Sequence, residues 1–261
     1  MEQVRHHDRT TTYHLEDRTD GGPSIVFAHG SGGTHAVWKA QLARLSDRYR
    51  IVALDLSGHG DSTDFAAEEW PAAREGYVED LLAVANAESA DVLVGNSLGG
   101  AVVQQALLDA DPRARAAVLV GSGAKLTVLE DLRDLLANDF ERAVEFLHGD
   151  DMLFHDPDEE LEALAREDML AVGRRVTERD FLASHTFDER DRIERIEVPT
   201  LAITGEHDRL TPPAYHEYLA EHVPQGEWQT LPDAAHLSML EAPAAFNDAL
   251  AGFIRRALSD Q

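Results

Sequence analysis

The hydrophobic positions of this chain fall into two kinds of segment. Short, continuous apolar runs of strand length occur at Ser24–Ala28, 51–54, 92–94, 117–120 and 201–204. Continuous rather than alternating apolarity indicates burial on both faces, which is typical of parallel strands covered by helices. Helical patterns lie between the runs, for example at 36–45, 99–109 and 243–258. This alternation predicts an α/β fold with a doubly wound, mostly parallel sheet.

One stretch, residues 125–197, breaks the alternation. It contains no convincing parallel strand and instead shows helical patterns at 126–136, Phe140–Leu147, Glu159–Val172 and 178–184. Long insertions of this kind often cover active sites. We therefore predict a core made of residues 1–124 and 198–261, with residues 125–197 inserted as a helical cap, or lid.

The candidate nucleophile is Ser97, in the sequence Gly95-Asn96-Ser97-Leu98-Gly99. This G-x-S-x-G motif follows a predicted strand and opens a predicted helix, the context in which it has catalytic meaning. A strand-to-helix turn this tight leaves no room for bulky flanking side chains, hence the glycines. The helix N-terminus beside Ser97 favours nearby negative charge.

A serine hydroxyl needs a base and a group that orients the base. His236 follows the strand-like run 227–231, and Asp208 follows the run that ends near residue 204. Both therefore fall in loops at the carboxyl ends of strands, the edge of the sheet where Ser97 is also placed. We predict a triad in the chain order Ser97, Asp208, His236.

Other histidines are weaker candidates. His207 adjoins the acid and would point away from the site if Asp208 points into it. His216 and His222 lie on a helical pattern that we interpret as solvent-exposed. Their spacing of six residues turns a helix by about 240°, so the two imidazoles cannot share a metal ion. We expect no metal site.

The loop after the first apolar run, His29-Gly30-Ser31-Gly32-Gly33, is rich in glycine. Glycines let the backbone approach a substrate oxygen closely, and acyl transfer needs two N–H donors at the forming oxyanion. We predict that the N–H groups of Ser31 and Leu98 form this oxyanion hole. Neither G-x-x-x-x-G-K-[ST] nor G-x-G-x-x-G occurs in the chain, so we expect no nucleotide and no other cofactor.

Five motifs in this order resemble those of the α/β-hydrolase superfamily, over residues 25–124 and 198–258: His29-Gly30, the segment 55–62, the turn 95–99, the segment 205–208 and the segment 234–236. The resemblance implies the α/β-hydrolase fold, a variable cap and an oxyanion N–H at Ser31. It also implies that the segment 55–62 is a structural turn, so neither His59 nor Asp61 is assigned a catalytic role.

The motifs favour a cofactor-free serine hydrolase of carboxylic esters, in the range of esterases, lactonases and thioesterases. The turn at 96–100 is also similar to that of hydrolases that cleave carbon–carbon bonds of ring-fission products, vinylogous diketones. That reaction is the alternative, and a non-catalytic ligand-binding homologue is a third. Candidate substrate contacts are Gly30, Phe140, Phe146, Met152 and Leu210. Arg209 or the pair Arg174 and Arg175 could bind a substrate carboxylate.

Composition changes the picture in one respect. The 261 residues carry 23 Lys and Arg against 49 Asp and Glu, a formal charge of −26, and the two lysines are Lys39 and Lys125. Such a surface repels nucleic acid and anionic lipid. An acidic excess with so few lysines resembles the proteomes of extremely salt-loving archaea; the alternative is an acidic enzyme of a mesophile.

The remaining compositional signals concern partners and compartment. The chain has no cysteine, which excludes disulfides and a cysteine nucleophile. No apolar run approaches the length of about 18 residues that a membrane span needs, and the N-terminus lacks the apolar region of a signal peptide. We expect a cytoplasmic monomer or small homo-oligomer acting on a small ester-like molecule, with neither a membrane nor a nucleic acid as partner.

Overall fold

A computed structural model describes residues 1–65, 72–110 and 112–259. Its centre is an eight-stranded sheet in the order β1-β2-β4-β3-β5-β6-β7-β8. The strands from β4 to β8 in this order pair in parallel, whereas β1 pairs with β2, and β2 with β4, in antiparallel fashion. The strands are β1 Glu2–His6, β2 Arg9–Glu16, β3 Ser24–Ala28, β4 Arg50–Leu54, β5 Val92–Asn96, β6 Ala116–Val120, β7 Thr200–Gly205 and β8 Gly226–Leu231. The predicted α/β sheet is confirmed.

Alternate residues of the central strands enter two separate cores. Ile25 and Phe27 face one core, and Val26 and Ala28 face the other. Both cores exclude water, which is why the strand sequences are apolar without alternation. Trp38 is fully buried in the first core, with its ring 4.9 Å from that of Phe27, and so is structural.

Helices cover both faces of the sheet. The first core is closed by α1 (Lys39–Leu45) and α10 (Pro243–Ser259), and the second by α2 (Ala73–Ala87), α3 (Leu98–Asp109) and α8 (Pro213–His222). A short helix, α9 (Ser238–Glu241), precedes α10. Among the described residues, we find no helix that is both long enough and apolar enough to cross a membrane.

Four helices lie between β6 and β7: α4 (Glu130–Asn138), α5 (Phe140–Leu147), α6 (Glu159–Val172) and α7 (Arg174–His185). The bounds of α5 and α6 agree with the sequence pattern. Helix α4 begins four residues later than predicted, and α7 begins four residues earlier, because its first turn follows directly from Gly173 (φ +85°). We call residues 125–197 the inserted segment.

The N-terminal hairpin, β1 and β2, was not predicted. Strand β1 is short and largely exposed, and β2, although buried at its centre, has Thr11 and Thr12 there in place of apolar residues. The turn between them is formed by His7 (φ 41°) and Asp8 (φ 60°), which both adopt the left-handed conformation of a tight hairpin turn. The usual Asn-Gly signature is missing, so the sequence gives no strong sign of this turn.

Candidate active site

Ser97 occupies the turn between β5 and α3. Its backbone has φ 52° and ψ −114°, a strained conformation held because its N–H donates to Val120 O at 2.8 Å. A Cβ on Gly95 would lie 2.2 Å from Gly99 O, and one on Gly99 would lie 2.5 Å from Ala28 O. The two glycines of the motif are therefore required by the close approach of backbone to backbone.

Asp208 and His236 come together at the ends of β7 and β8. His236 Nδ1 lies 2.9 Å from Asp208 Oδ2, and both residues are almost fully buried. Asp208 also accepts hydrogen bonds from Leu210 N (2.9 Å), Thr211 N (2.8 Å) and Thr211 Oγ1 (2.7 Å). Burial alone would raise the pKa of Asp208, but His236 and the Thr211 donors outweigh it and hold that pKa below its usual range. The carboxylate is thus fixed in its ionised form.

Two supporting residues were missed by the sequence analysis. Thr211 holds the acid, and the hydroxyl residue three positions after Asp208 is the signal that could have revealed it. Glu241 holds the loop of the base, since its Oε2 accepts the N–H of Ala235 at 2.7 Å. No local pattern marks Glu241, because its partner is fixed only by the tertiary structure.

The glycine-rich loop lies directly against the nucleophile. A Cβ on Gly30 would lie 2.8 Å from Asn96 Oδ1 and 3.1 Å from Ser97 Cβ, so this position tolerates only glycine. Among the residues that the structure describes, the N–H groups of Ser31 and Leu98 donate no hydrogen bond. Leu98 is the first residue of α3, where the helix itself offers no acceptor. Two free donors therefore flank Ser97.

A cavity of about 520 Å³ opens at this point, and both Ser97 and His236 line it. Three of the five predicted substrate contacts, Gly30, Met152 and Leu210, also line it, and so does Ser31. The inserted segment contributes eleven apolar residues to its wall, namely Leu126, Val128, Leu129, Leu132, Met152, Leu153, Leu161, Leu164, Ala165, Met169 and Phe181. Its size and apolar lining are those of a pocket for a small organic molecule.

Phe140 and Phe146 do not reach this cavity, so their prediction as substrate contacts is wrong. Both lie on α5 and pack, half buried, against the hydrophobic core instead. Arg209 lines the cavity, whereas Arg175 is paired with Asp64 and Arg174 with the backbone of α4 and with Glu178. Helical periodicity alone could not distinguish the face of α5 that packs inward from one that lines a pocket.

The interpretation of His216 as solvent-exposed is also wrong. His216 is fully buried under the sheet edge, and its Nε2 accepts the N–H of Ser122 at 3.0 Å. Burial lowers the pKa of His216 to about 4, so the ring stays neutral. Ser122 in turn donates to Ser97 O at 3.0 Å. His216 and Leu219 are three residues apart and so lie on the same face of α8, and this spacing could have indicated that His216 is buried.

One group of side chains in the described residues could hold a metal ion. Ligand atoms of Asp151, His155 and His207 lie within 4.8 Å of one another. In this arrangement Asp151 is hydrogen-bonded to His155 at 2.6 Å, and the two imidazole rings are stacked in parallel, 3.5 Å apart. Parallel rings do not direct their lone pairs at a common point, so the group is built as a stacked pair between a loop of the inserted segment and the loop of Asp208.

Comparisons with known proteins agree with this geometry. Residues 25–249 match the alpha/beta hydrolase family. The chain is 27% identical over 250 residues to 3-oxoadipate enol-lactonase 1 of Acinetobacter baylyi, with 90% of each chain covered. It is 24% identical over 247 residues to 2-hydroxy-6-oxo-6-(2'-aminophenyl)hexa-2,4-dienoic acid hydrolase of Metapseudomonas resinovorans, with 90% of this chain and 85% of the relative covered.

A solved structure of a thermophilic esterase superposes on this chain with a TM-score of 0.85 at 31% identity. The match covers 98% of this chain and 97% of that one, so the likeness extends over both the sheet and the inserted segment.

Proposed function

The chain belongs to the alpha/beta hydrolase family, and we propose that it is a cofactor-free serine hydrolase of carboxylic esters. The observation that carries the proposal is the convergence, on one apolar cavity, of Ser97 in its strained turn and of His236 paired with a buried Asp208. The similarity to an esterase and to an enol-lactonase supports ester hydrolysis as the reaction.

In the proposed reaction, His236 accepts the proton of the Ser97 hydroxyl while Ser97 Oγ attacks the ester carbonyl carbon. The carbonyl oxygen becomes an oxyanion held by the N–H groups of Ser31 and Leu98. His236 then gives the proton to the leaving alcohol, and an acyl-enzyme remains. Water, deprotonated by His236, attacks this ester, and His236 then returns the proton to Ser97 Oγ as the acid is released. Asp208 keeps the Nδ1 proton of His236 in place, so that Nε2 is free to act as the base.

The cavity supports small to medium esters, lactones or thioesters with an apolar acyl group. About ten apolar side chains of the inserted segment surround the space next to Ser97. Their burial of an acyl chain contributes about 0.8 kcal/mol for each methylene group. Lys39 and Arg209 are the cationic residues of the described lining, so a carboxylate on the substrate is also compatible with it.

Carbon–carbon hydrolysis of a vinylogous diketone is the second candidate. It is favoured by the similarity to the hydrolase from Metapseudomonas resinovorans, which extends over most of both chains. A parallel screen of p-nitrophenyl esters of graded chain length and of one vinylogous diketone acid, in high salt, decides between the two reactions by the ratio of their kcat/KM values.

The mechanism is tested with S97A and H236A. We expect each variant to lose nearly all turnover, leaving about 10³–10⁴-fold catalysis over water from binding and the oxyanion hole. The double variant should cost little more, because the triad acts as a unit. A fluorophosphonate should label Ser97 in the wild type, and His222→Ala, on the exposed side of α8, is the matched control. Wild-type turnover in S97A, or labelling of another serine, would contradict the proposal.

We also propose that the protein works in molar salt, as the proteins of salt-loving archaea do. A formal charge of −26 is far beyond the magnitude of about 2–8 usual for a small domain. At 0.01 M salt the Debye length is about 30 Å, so nearly every carboxylate repels every other, whereas at 1 M it is about 3 Å. Unfolding relieves that repulsion, and a stability of about 5–15 kcal/mol leaves little to oppose it.

The salt proposal is tested by the melting temperature and the esterase activity between about 0.05 and 3 M NaCl, across the range in which screening changes most. We expect the melting temperature to rise steeply to about 2 M and the activity to be lost on dialysis into dilute buffer. A flat response of both quantities would overturn this proposal and leave the hydrolase proposal standing.

A further inference from the structure

Asp180 of α7 is a buried carboxylate that the proposed mechanism does not use. It is fully excluded from solvent, although it lies on a helix of the inserted segment. It accepts three hydrogen bonds: from Gly32 N at 3.0 Å, from His59 Nε2 at 2.8 Å and from the hydroxyl of Tyr77. These donors belong to three different parts of the core, so one side chain of the inserted segment joins them.

The bond to Gly32 reaches the glycine-rich loop itself. Gly32 follows Ser31, whose free N–H faces the nucleophile in the proposed mechanism. Gly32 has φ +67°, and a Cβ there would lie 3.0 Å from Thr177 Cγ2, one turn before Asp180 on the same helix. The loop therefore rests directly on α7, and its backbone is held there by a carboxylate. A hydrogen bond to an ionised acceptor is roughly twice as strong as a neutral one.

His59 holds the same carboxylate from the other side. Its Nδ1 lies 3.2 Å from Leu56 O and its Nε2 lies 2.8 Å from Asp180, so both ring nitrogens face acceptors and both must donate. This arrangement favours the imidazolium form of the ring. Burial would lower the pKa of His59, but the charge and the hydrogen bond of Asp180 outweigh it and raise that pKa. The same pairing holds the pKa of Asp180 below its usual range despite burial.

His29 connects this ion pair to the start of the loop. Its ring lies 4.5 Å from that of His59, its Nε2 accepts the N–H of Leu56 at 3.1 Å, and its Nδ1 donates to Gly30 O at 2.8 Å. Burial, and secondly the charge of His59, lower the pKa of His29 to about 4, so this ring is neutral. Gly30 and Gly32 are therefore both held by this buried network, one on each side of Ser31.

We propose that Asp180 is a positioning residue for the oxyanion hole: through Gly32 it fixes the direction of the Ser31 N–H. The role rests on the proposed hydrolase function, because it assumes that Ser31 binds the oxyanion. Asp180 touches neither the nucleophile nor the cavity. It acts in the transition state, in which the negative charge on the carbonyl oxygen is greatest, and hardly in substrate binding.

The test compares D180N with D80N. D180N keeps the shape of the side chain and removes its charge. Its amide group can still satisfy a neutral His59, which lets the chain fold, but its bond to the Gly32 N–H is a weaker, neutral one. Asp80 is the matched control, since it is equally buried and also holds a backbone N–H, that of Ser57 at 2.7 Å, but does not contact residues 29–33.

For D180N we expect kcat to fall by one to two orders of magnitude with KM nearly unchanged, because a displacement of about 1 Å in a reacting geometry costs about 10²-fold. The affinity for a boronic acid, which forms a tetrahedral adduct with Ser97, should fall by the same factor. D80N should keep the wild-type kcat and boronate affinity. Wild-type kcat in D180N, or an equal loss in D80N, would overturn the proposal.

A second measurement needs no substrate. Amide hydrogen exchange of the segment 29–33 should be faster in D180N than in the wild type and in D80N, because the acceptor of the Gly32 N–H is weakened. Unchanged exchange there would also refute the role of Asp180. If the wild type hydrolysed no ester at all, the proposed function would fail, and the exchange measurement would still decide whether Asp180 holds the loop.

Discussion

Helices α4–α6 and helix α7 belong to the same inserted segment, yet they meet the active site in different ways. Helices α4 and α6 contribute apolar side chains to the cavity wall and leave Leu164 and Leu170 more than two-fifths exposed. Helix α7 instead buries a run of polar residues against the core: Thr177, Arg179, Asp180 and Ser184. The first part shapes the pocket only, whereas α7 both adds Phe181 and Ser184 to the cavity lining and supports the glycine-rich loop.

This difference shows that an insertion in the sequence need not be one unit in the structure. The side chain of Arg179 is 1% exposed, and it donates to Ser57 O at 2.8 Å and to Tyr77 Oη at 2.9 Å. Such buried charges are tolerated only where partners are complete. By its contacts, α7 belongs to the core, whereas α4–α6, which precede it in the chain, do not.

The largest expected effect is that of deleting α4–α6 alone compared with deleting the whole inserted segment, including α7. Replacing residues 125–197 by a short linker removes the ion-pair partners of the buried His59 and of Asp64, and should abolish cooperative folding. Replacing 130–172 alone keeps α7, and we expect a folded protein that a fluorophosphonate still labels but that has lost acyl-chain selectivity. Thermal unfolding and labelling measure both outcomes. A folded, active product of the longer deletion would refute the distinction.

The next largest effect is the loss of stability when one carboxylate is removed from α7 or from α6. D180A leaves the His59 imidazolium and the Gly32 N–H unpaired, and should lower the free energy of unfolding by about 3–5 kcal/mol. D168A, on α6, removes an exposed side chain that accepts no hydrogen bond from the described residues, and should change stability by less than about 0.5 kcal/mol. Denaturant unfolding in high salt measures both values. Equal losses would show that α6 is as integral to the core as α7.

A third effect tests the wall of the cavity. Met169 of α6 is 5% exposed and lines the cavity, so M169W should fill the space that a long acyl chain needs. Since one methylene in a pocket is worth about 10–200-fold in kcat/KM, long-chain esters should lose at least tenfold while short-chain esters change little. The control is L170W on the outer face of the same helix. Loss of activity toward all chain lengths alike would contradict the assignment of the wall to α6.

The smallest effect is a dependence of stability on pH. The raised pKa of His59 contributes stability that is present below its unfolded value of about 6.5 and is lost as pH rises through the folded value. The lowered pKa of Asp180 contributes stability that is present above about 3.9 and is lost as pH falls through the folded value.

The free-energy difference between the wild type and D180N should therefore be greatest between about pH 4 and 6.5 and smaller on both sides. The contribution of Asp168 to stability should depend on pH in the opposite way, because partial desolvation raises the pKa of its carboxyl group. The wild type should lose stability relative to D168N as pH rises past about 4. Denaturant unfolding from pH 3 to 9 checks both, and a constant difference for D180N would contradict the ion pair.

Most of the sheet could be predicted from the sequence because its strands are buried on both faces and hence continuously apolar. The run at Ser24–Ala28 is an example, with identical bounds in the structure. The hairpin of β1 and β2 could not, since half-exposed edge strands such as Glu2–His6 have no apolar pattern. Its pairing depends on β4, a contact distant in the chain.

The residues of the proposed triad could be selected from the sequence because each lies in a short motif at the end of a strand. Ser97, Asp208 and His236 fall where the structure brings such ends together. Asp180 and Glu241 could not be found, because a buried carboxylate looks like any surface carboxylate among 49 acidic residues until its partners are known. The low lysine content indicates how the protein surface is composed, but it does not indicate which carboxylates are buried.

Glu241 also has a consequence for motion. Its Oε2 holds the N–H of Ala235, next to the base, and its Oε1 holds the N–H of His155 at 2.7 Å in the inserted segment. The loop around His155 cannot move away from the core unless Glu241 loses its hydrogen bond from His155 N or from Ala235 N. A displacement of the His155 loop away from the core would therefore either break its bond to Glu241 or pull on the loop that carries His236, the proposed catalytic base.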